Sequence, residues 1–277
     1  MKKLLTRGLT GAIFVAVMVF SILWSRTLLF NLLLVVTCIG LYEFNSVLQE
    51  NGIRLPAALF YIITLTAYFL VYMGSLQLPV NSYMFVIVCL MLLFFVAALF
   101  QKEEDEAFRN LGYIFISVWW IVFPFALMNF FPFMAGKSVA VGAGQWLLLV
   151  FFITIWANDT FAYLTGSLIG KHPFFERISP KKTWEGTLGG GILALLLSLF
   201  YTRIFPFLSF SMLQWLGFAL IVVVMGTIGD LVESFFKRRM HVKDSGTLLP
   251  GHGGILDRFD SAMFAAPFVL LYLQLIC

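Results

Sequence analysis

The chain has 277 residues, 61% of them hydrophobic and only 12% charged, with a formal net charge of +4. Soluble domains carry about a quarter charged residues, so this composition excludes a water-soluble enzyme and points to a polytopic membrane protein. It also excludes a nucleic-acid binder, which would spread basic residues over a water-exposed face. Function must then lie in the membrane spans and the connections between them. The three cysteines, Cys38, Cys89 and Cys277, stand far apart in apolar surroundings without CxxC spacing. They suggest packing residues rather than a disulfide framework or a zinc site.

A helix needs roughly 20 apolar residues to cross about 30 Å of hydrocarbon. Hydropathy predicts nine such spans, at Leu9–Trp24, Leu28–Tyr42, Ala57–Met73, Val80–Phe100, Leu111–Phe131, Trp146–Ile169, Thr187–Phe205, Met212–Phe236 and Leu256–Ile276. The fold class is therefore an all-α integral membrane bundle. The opening MKKLLTRGLTGAIFVAVMVF has the basic start and apolar run of a signal peptide. That run ends at Trp24, Ser25 and Arg26 without a small-x-small site, so a retained first span is expected. The first two spans are joined only by Ser25–Thr27, as a tight hairpin or one partly interfacial element.

With a cytoplasmic N-terminus, Lys2, Lys3, Arg7, Arg54, Lys102, Arg109, Lys171, Arg177, Lys181 and Lys182 fall inside, with the basic residues of the last connection. Arg26, Lys137 and Arg203 fall outside, the asymmetry the positive-inside rule requires. The mixed-charge turn Gln101–Arg109 reads as a solvated helix end. Two inner connections, 170–186 and 233–257, are richer. Residues 1–145 are thus expected to be scaffold, and residues 146–277 to be the catalytic region. No repeat of fixed period is visible.

Three carboxylates fall inside or at the ends of spans, where ionisable groups are costly unless paired or lining a polar cavity. Asp159 lies roughly 16 Å below its helix end at about 1.5 Å per residue; Asp230 lies a turn or two from the surface, and Asp260 opens the last helix. Asp230 and Glu233 share a helix face, and Lys237 follows Glu233 at i+4. Asp257 and Asp260 repeat the i, i+3 spacing on the next helix. Two antiparallel helices can thus aim four carboxylates at one point, an oxygen-rich set suited to magnesium. Plain salt bridging of Glu233 to Lys237 is the structural alternative. Lys237, Arg238 and Arg239 complement the helix dipole and can face the same pocket. Gly251, His252, Gly253 and Gly254 form a turn whose amides can cradle phosphate oxygens before a helix. In the other connection Ser179, Lys181, Lys182, Thr183 and Glu185 precede a helix, with the lysine pair placed for anionic headgroups or a triphosphate. Gly189, Gly190 and Gly191 suit close helix packing.

The run SFFKRRMHVKDSGTLLPGHGGILDRFD, Ser234 to Asp260, resembles the signature of the phosphatidate cytidylyltransferases, also called CDP-diacylglycerol synthases. GDLVES before it, WANDTFAYLTGSLIGK and SPKKTWEGTLGG upstream are similar in order and spacing, so the resemblance covers roughly Trp156 to Asp260. It implies transfer of CMP from CTP to phosphatidate by a magnesium-dependent enzyme of a bacterial-type inner membrane, working on the cytoplasmic face as a homodimer. It implies Asp230 and Asp257 as metal-centre ligands with Asp260 close by, Glu233 being added from its spacing, and a monovalent cation, potassium, beside the magnesium. Lys237, Arg238, Lys243, Asp244 and His252 are the remaining catalytic candidates, with Arg258 and the glycine turn on the substrate side. An ion-coupled transporter and a CTP-dependent polyprenol kinase are the rival readings; the charges gathered at one face, with no inverted repeat, speak against the transporter, and the product separates the kinase.

Overall fold

The computed structural model describes residues 2–76, 92, 104–134, 139, 142–246 and 253–276, with side chains for these from residue 8 onward except Glu104. The described chain is helical almost throughout: α1 (Lys2–Trp24), α2 (Arg26–Glu50), α3 (Ala57–Ser75), α4 (Glu104–Ser117), α5 (Phe123–Met128), α6 (Gly144–Ile169), α7 (Trp184–Ser198), α8 (Tyr201–Ile204), α9 (Met212–Arg239) and α10 (Leu256–Ile276). A short antiparallel hairpin, β1 (Pro173–Phe175) and β2 (Ser179–Thr183), lies between α6 and α7. Among the described residues seven helical stretches are long and apolar enough to cross a membrane, and α1 adds the shorter apolar stretch Gly8–Trp24. The chain is an all-α membrane protein. The expected span Val80–Phe100 lies outside the described residues, as do Cys89 and Cys277; Cys38, expected as a packing residue, is exposed.

Side-chain caps mark the starts of α2, α7 and α9. Ser25 separates α1 from α2 and caps α2 by accepting from Leu28 N at 3.0 Å, which makes the first two spans distinct helices. Ser211 and Gln214 form a reciprocal capping box at the start of α9, satisfying two otherwise orphaned donors. Helix α2 runs eight residues beyond the predicted end at Tyr42. Hydropathy falls there because Glu43 and Asn45 interrupt the apolar run, yet both are buried. Helix α4 passes through a π-helical turn, Val118–Val122, into α5.

Two close helix pairs build the second half. A Cβ on Gly190 would lie 2.6 Å from Ala162 Cβ, and one on Gly189 2.9 Å from Thr165 Cβ. Helices α6 and α7 therefore meet backbone to backbone, as small residues allow in membranes. On α9, a Cβ at Gly229 would lie 2.5 Å from the Asp260 carbonyl oxygen, so α9 presses on the first turn of α10. That contact sets Asp230, the next residue, beside Asp260. Beneath the polar end, Phe259 is ringed edge-on by Phe14, Phe125 and Phe152 at centroid distances of 5.6, 5.2 and 6.0 Å. Such pairs contribute about 0.5–1.5 kcal/mol each beyond area burial, and these tie α1, α5 and α6 to α10.

Candidate active site

The C-terminal ends of α2, α6 and α9 and the N-terminal ends of α7 and α10 meet at one end of the bundle. Helix α9 stops there in a Schellman motif: Val242 N donates to Lys237 O at 3.0 Å and His241 N to Arg238 O at 3.3 Å. His241 takes the left-handed position with φ of 54°, where glycine is usual and another residue costs about 1–2 kcal/mol. The chain thereby turns from α9 into the polar connection.

Lys237 occupies the centre of a first charged group. Its Nζ lies 2.5 Å from Glu233 Oε2 and donates to Asp257 Oδ1 at 2.7 Å. Glu233 is 1% exposed. It meets Lys237 as an ion pair by distance, while neither of its oxygens has a directed hydrogen bond. Asp257 Oδ2 accepts from Ser245 N at 3.0 Å and Gly254 N at 2.7 Å. A carboxylate offers about four acceptor directions, and Asp257 uses three of them on these protein donors.

A second group borders a cavity of about 420 Å³ whose lining includes Asn158, Asp159, Lys181, Lys182, Thr183 and Asp230. Lys182 Nζ lies 2.5 Å from Asp230 Oδ2, and Ser234 Oγ donates to Asp230 Oδ1 at 3.3 Å. Asp159, Asp230 and Asp260 are within electrostatic range of one another, and Lys182 acts on both Asp159 and Asp260. Asp159, without a basic neighbour in sequence, thus gains Lys182 and Arg258 in space. Asp260 Oδ1 also accepts from Ser261 N at 2.6 Å.

The expected convergence of four carboxylates on one point is therefore divided. Lys237 joins Glu233 to Asp257, while Asp230 and Asp260 group with Asp159. Among the described residues no three His, Cys, Asp or Glu side chains gather closely enough to hold one ion together. The donor chemistry is nonetheless all oxygen, as a hard divalent cation takes, and it includes the buried carboxylate of Glu233, whose Oε2 lies on Lys237.

The other predicted residues are placed as follows. Arg238 Nε donates to Ile178 O at 3.1 Å, pinning the β-hairpin to α9. Lys243, Asp244 and Arg258 are exposed. Ser179 opens β2 opposite Phe175. Thr183 caps α7, accepting from Gly186 N at 3.2 Å. Glu185 turns to the hairpin base rather than to the cavity. Its Oε2 accepts from the amides of Lys171 and His172 at 3.1 and 3.2 Å, and its Oε1 lies 2.5 Å from His172 Nδ1. Gly251 and His252 lie outside the described residues; Gly253 has φ of 82°.

Of the amides expected to cradle phosphate, that of Gly254 donates to Asp257 at 2.7 Å; the two that follow the turn, Ile255 N and Leu256 N, donate to Glu43 at 2.9 and 3.1 Å. Glu43, from the half of the chain expected to be scaffold, is the residue that sequence reasoning missed. The signal was present: an acid continuing an apolar helix is a functional candidate by its cost of burial, but ending the span at Tyr42 placed it outside.

The sequence matches the Cytidylyltransferase family over residues 5–276, and the chain belongs to that family. Among curated proteins it is 48% identical over 132 residues to the phosphatidate cytidylyltransferase of Staphylococcus aureus (strain COL), covering 47% of this chain and 50% of that protein. It is 47% identical over 128 residues to the phosphatidate cytidylyltransferase of Staphylococcus epidermidis, covering 46% of this chain and 48% of that one. The chain thus spans about half the length of the curated relatives it matches.

Proposed function

We propose that the chain transfers CMP from CTP to phosphatidate, giving CDP-diacylglycerol and pyrophosphate, and so serves phospholipid biosynthesis. The observation that carries this reading is the meeting, in one polar end of an apolar bundle, of the run resembling the phosphatidate cytidylyltransferases with a cavity lined by Lys181, Lys182 and Asp230. The names of the relatives agree with it.

A phosphate oxygen of phosphatidate forms the new bond to the α-phosphorus of CTP. The bond from that phosphorus to the oxygen bridging to the β-phosphate breaks, and pyrophosphate leaves with the electron pair. The second ionisation of a phosphate monoester lies near a pKa of about 6, so the attacking group needs alignment and charge neutralisation more than a strong base. Lys181 and Lys182 attract the anionic groups into the cavity. Lys237, Arg238, Lys243 and His252 stabilise the departing pyrophosphate, and Asp159 is a further candidate facing the same cavity. Magnesium, with potassium beside it, would draw on the oxygen donors of the two charged groups, Asp230 and Asp260 in one and Asp257 with Glu233 behind it in the other, and would supply positive charge that polarises the reacting phosphates.

In this reading the chain has nine spans and a cytoplasmic N-terminus, and the polar end faces the cytoplasm of a bacterial-type inner membrane. What supports it is the bias of basic residues toward one set of connections and the meeting of the ends of α2, α6, α7, α9 and α10. A homodimer acting on CTP and membrane lipid, without nucleic acid, completes the proposal. It is tested by incubating purified protein with phosphatidate, magnesium and CTP labelled at the α-phosphate. Magnesium-dependent label in the lipid with pyrophosphate release is the expected result. An unlabelled lipid under conditions where CTP still binds overturns the reading.

A further inference from the structure

Resting on that reading, we infer that Glu43 is a positioning residue for the reaction: from α2 it fixes Ser245, Ile255 and Leu256, and through them the placement of Asp257 against Lys237. Glu43 is 4% exposed. Burying a carboxylate is costly unless donors surround it. Here Oε1 accepts from Ile255 N at 2.9 Å, and Oε2 accepts from Leu256 N at 3.1 Å and Ser245 Oγ at 3.3 Å. Two of the donors are orphan amides at the start of α10, where the helix dipole also favours an anion.

The connection is held from two sides. Ser245 gives its hydroxyl to Glu43 and its amide to Asp257. Gly254 gives its amide to Asp257, and the next two amides go to Glu43. The far oxygen of Asp257 receives Lys237. Glu43 thus reaches the charged centre through one layer of backbone without itself lining the cavity. Its approach also accounts for two glycines of the run. A Cβ on Gly246 would lie 2.5 Å from Glu43 Oε1, and one on Gly254 2.5 Å from Glu43 Oε2.

The rest of α2 and its C-cap residue Asn51 reinforce this grip. Asn51 Nδ2 donates to Met240 O at 2.8 Å, at the other end of the connection. Phe44 stacks on Phe236 at 5.2 Å with the planes 18° apart. Acid, amide and ring together make α2 a brace for the α9–α10 connection.

The test is Glu43→Gln in the full chain, which keeps the side-chain volume but replaces one acceptor oxygen by an NH2 donor facing donors. Hydrogen exchange of the peptides holding Ser245 and Gly254–Leu256 is expected to speed up about tenfold or more without substrate present. Turnover is expected to fall by about 10–100-fold, the usual cost of losing a supporting partner, with KM for CTP and phosphatidate within about twofold of wild type. Glu43→Asp, which retains both acceptor oxygens, should recover part of the turnover. Unchanged exchange in Glu43→Gln overturns the inference whatever the wild-type activity, and so does wild-type turnover despite faster exchange. A loss seen only in KM also overturns it. If Glu43→Gln does not fold, Ser245→Ala removes a single bond to Glu43, and wild-type kcat in that variant overturns the inference. A wild-type protein inactive on CTP and phosphatidate sinks the functional reading instead, leaving the exchange result to decide the brace.

Discussion

Lys237 is the cation that two carboxylates share, and removing its charge has a calculable effect. Its Nζ lies 2.5 Å from Glu233 and 2.7 Å from Asp257, and the side chains of Lys237, Glu233 and Asp257 are 16%, 1% and 8% exposed. Removing one partner of a buried ion pair costs about 3–5 kcal/mol, because the other charge is left uncompensated. Lys237→Met keeps most of the apolar stem and loses only the ammonium. At about 2–4 °C per kcal/mol for a chain of this size, melting should fall by roughly 6–20 °C. Intrinsic tryptophan fluorescence on heating in detergent measures it. Adding Glu233→Gln removes the stranded carboxylate, so the double variant should regain at least half of the lost stability while CMP transfer stays abolished. The reasoning fails if Lys237→Met melts with the wild type, or if Glu233→Gln deepens the loss additively.

Lys182 is a different case, because its pair with Asp230 is partly open, at 27% and 30% exposure, and such pairs contribute at most about 1 kcal/mol. Lys182→Ala should therefore leave melting nearly unchanged while raising KM for CTP or phosphatidate; unchanged kinetics for both would reduce the residue to topology. Gly190→Val should destabilise the chain by about 1–3 kcal/mol or more through overpacking against Ala162, and a wild-type melting curve would contradict the close α6–α7 contact. Chelation by EDTA should stop CMP transfer and added magnesium restore it. Turnover persisting in chelator would remove the divalent ion from the account.

Much of this arrangement was legible in the sequence because it is local. The apolar runs gave the helices, and i, i+4 spacing offered the Glu233–Lys237 pair as the alternative to a metal-ligand role for Glu233. Small residues at Gly189 and Gly190 marked a close helix contact. What escaped was long-range. Lys182 and Asp230 are brought together by α6, the hairpin and α7, and no periodicity links them. Glu43 reaches across 212 positions to Ile255, and its polarity made the span look finished where the helix in fact continues. The glycine turn was read as open to phosphate because sequence shows that amides exist, not which acceptor they meet; Asp257 takes the Gly254 amide, and Glu43 takes the next two, of Ile255 and Leu256.

The most direct measurement compares CTP labelled at the α-phosphate with CTP labelled at the γ-phosphate, in membranes holding the wild type or Asp257→Asn at equal folded amounts. Only the α-label should enter lipid with the wild type, and neither label with Asp257→Asn. Entry of the γ-label would identify a kinase, and full α-labelling by Asp257→Asn would take that carboxylate, and the site built around it, out of the reaction.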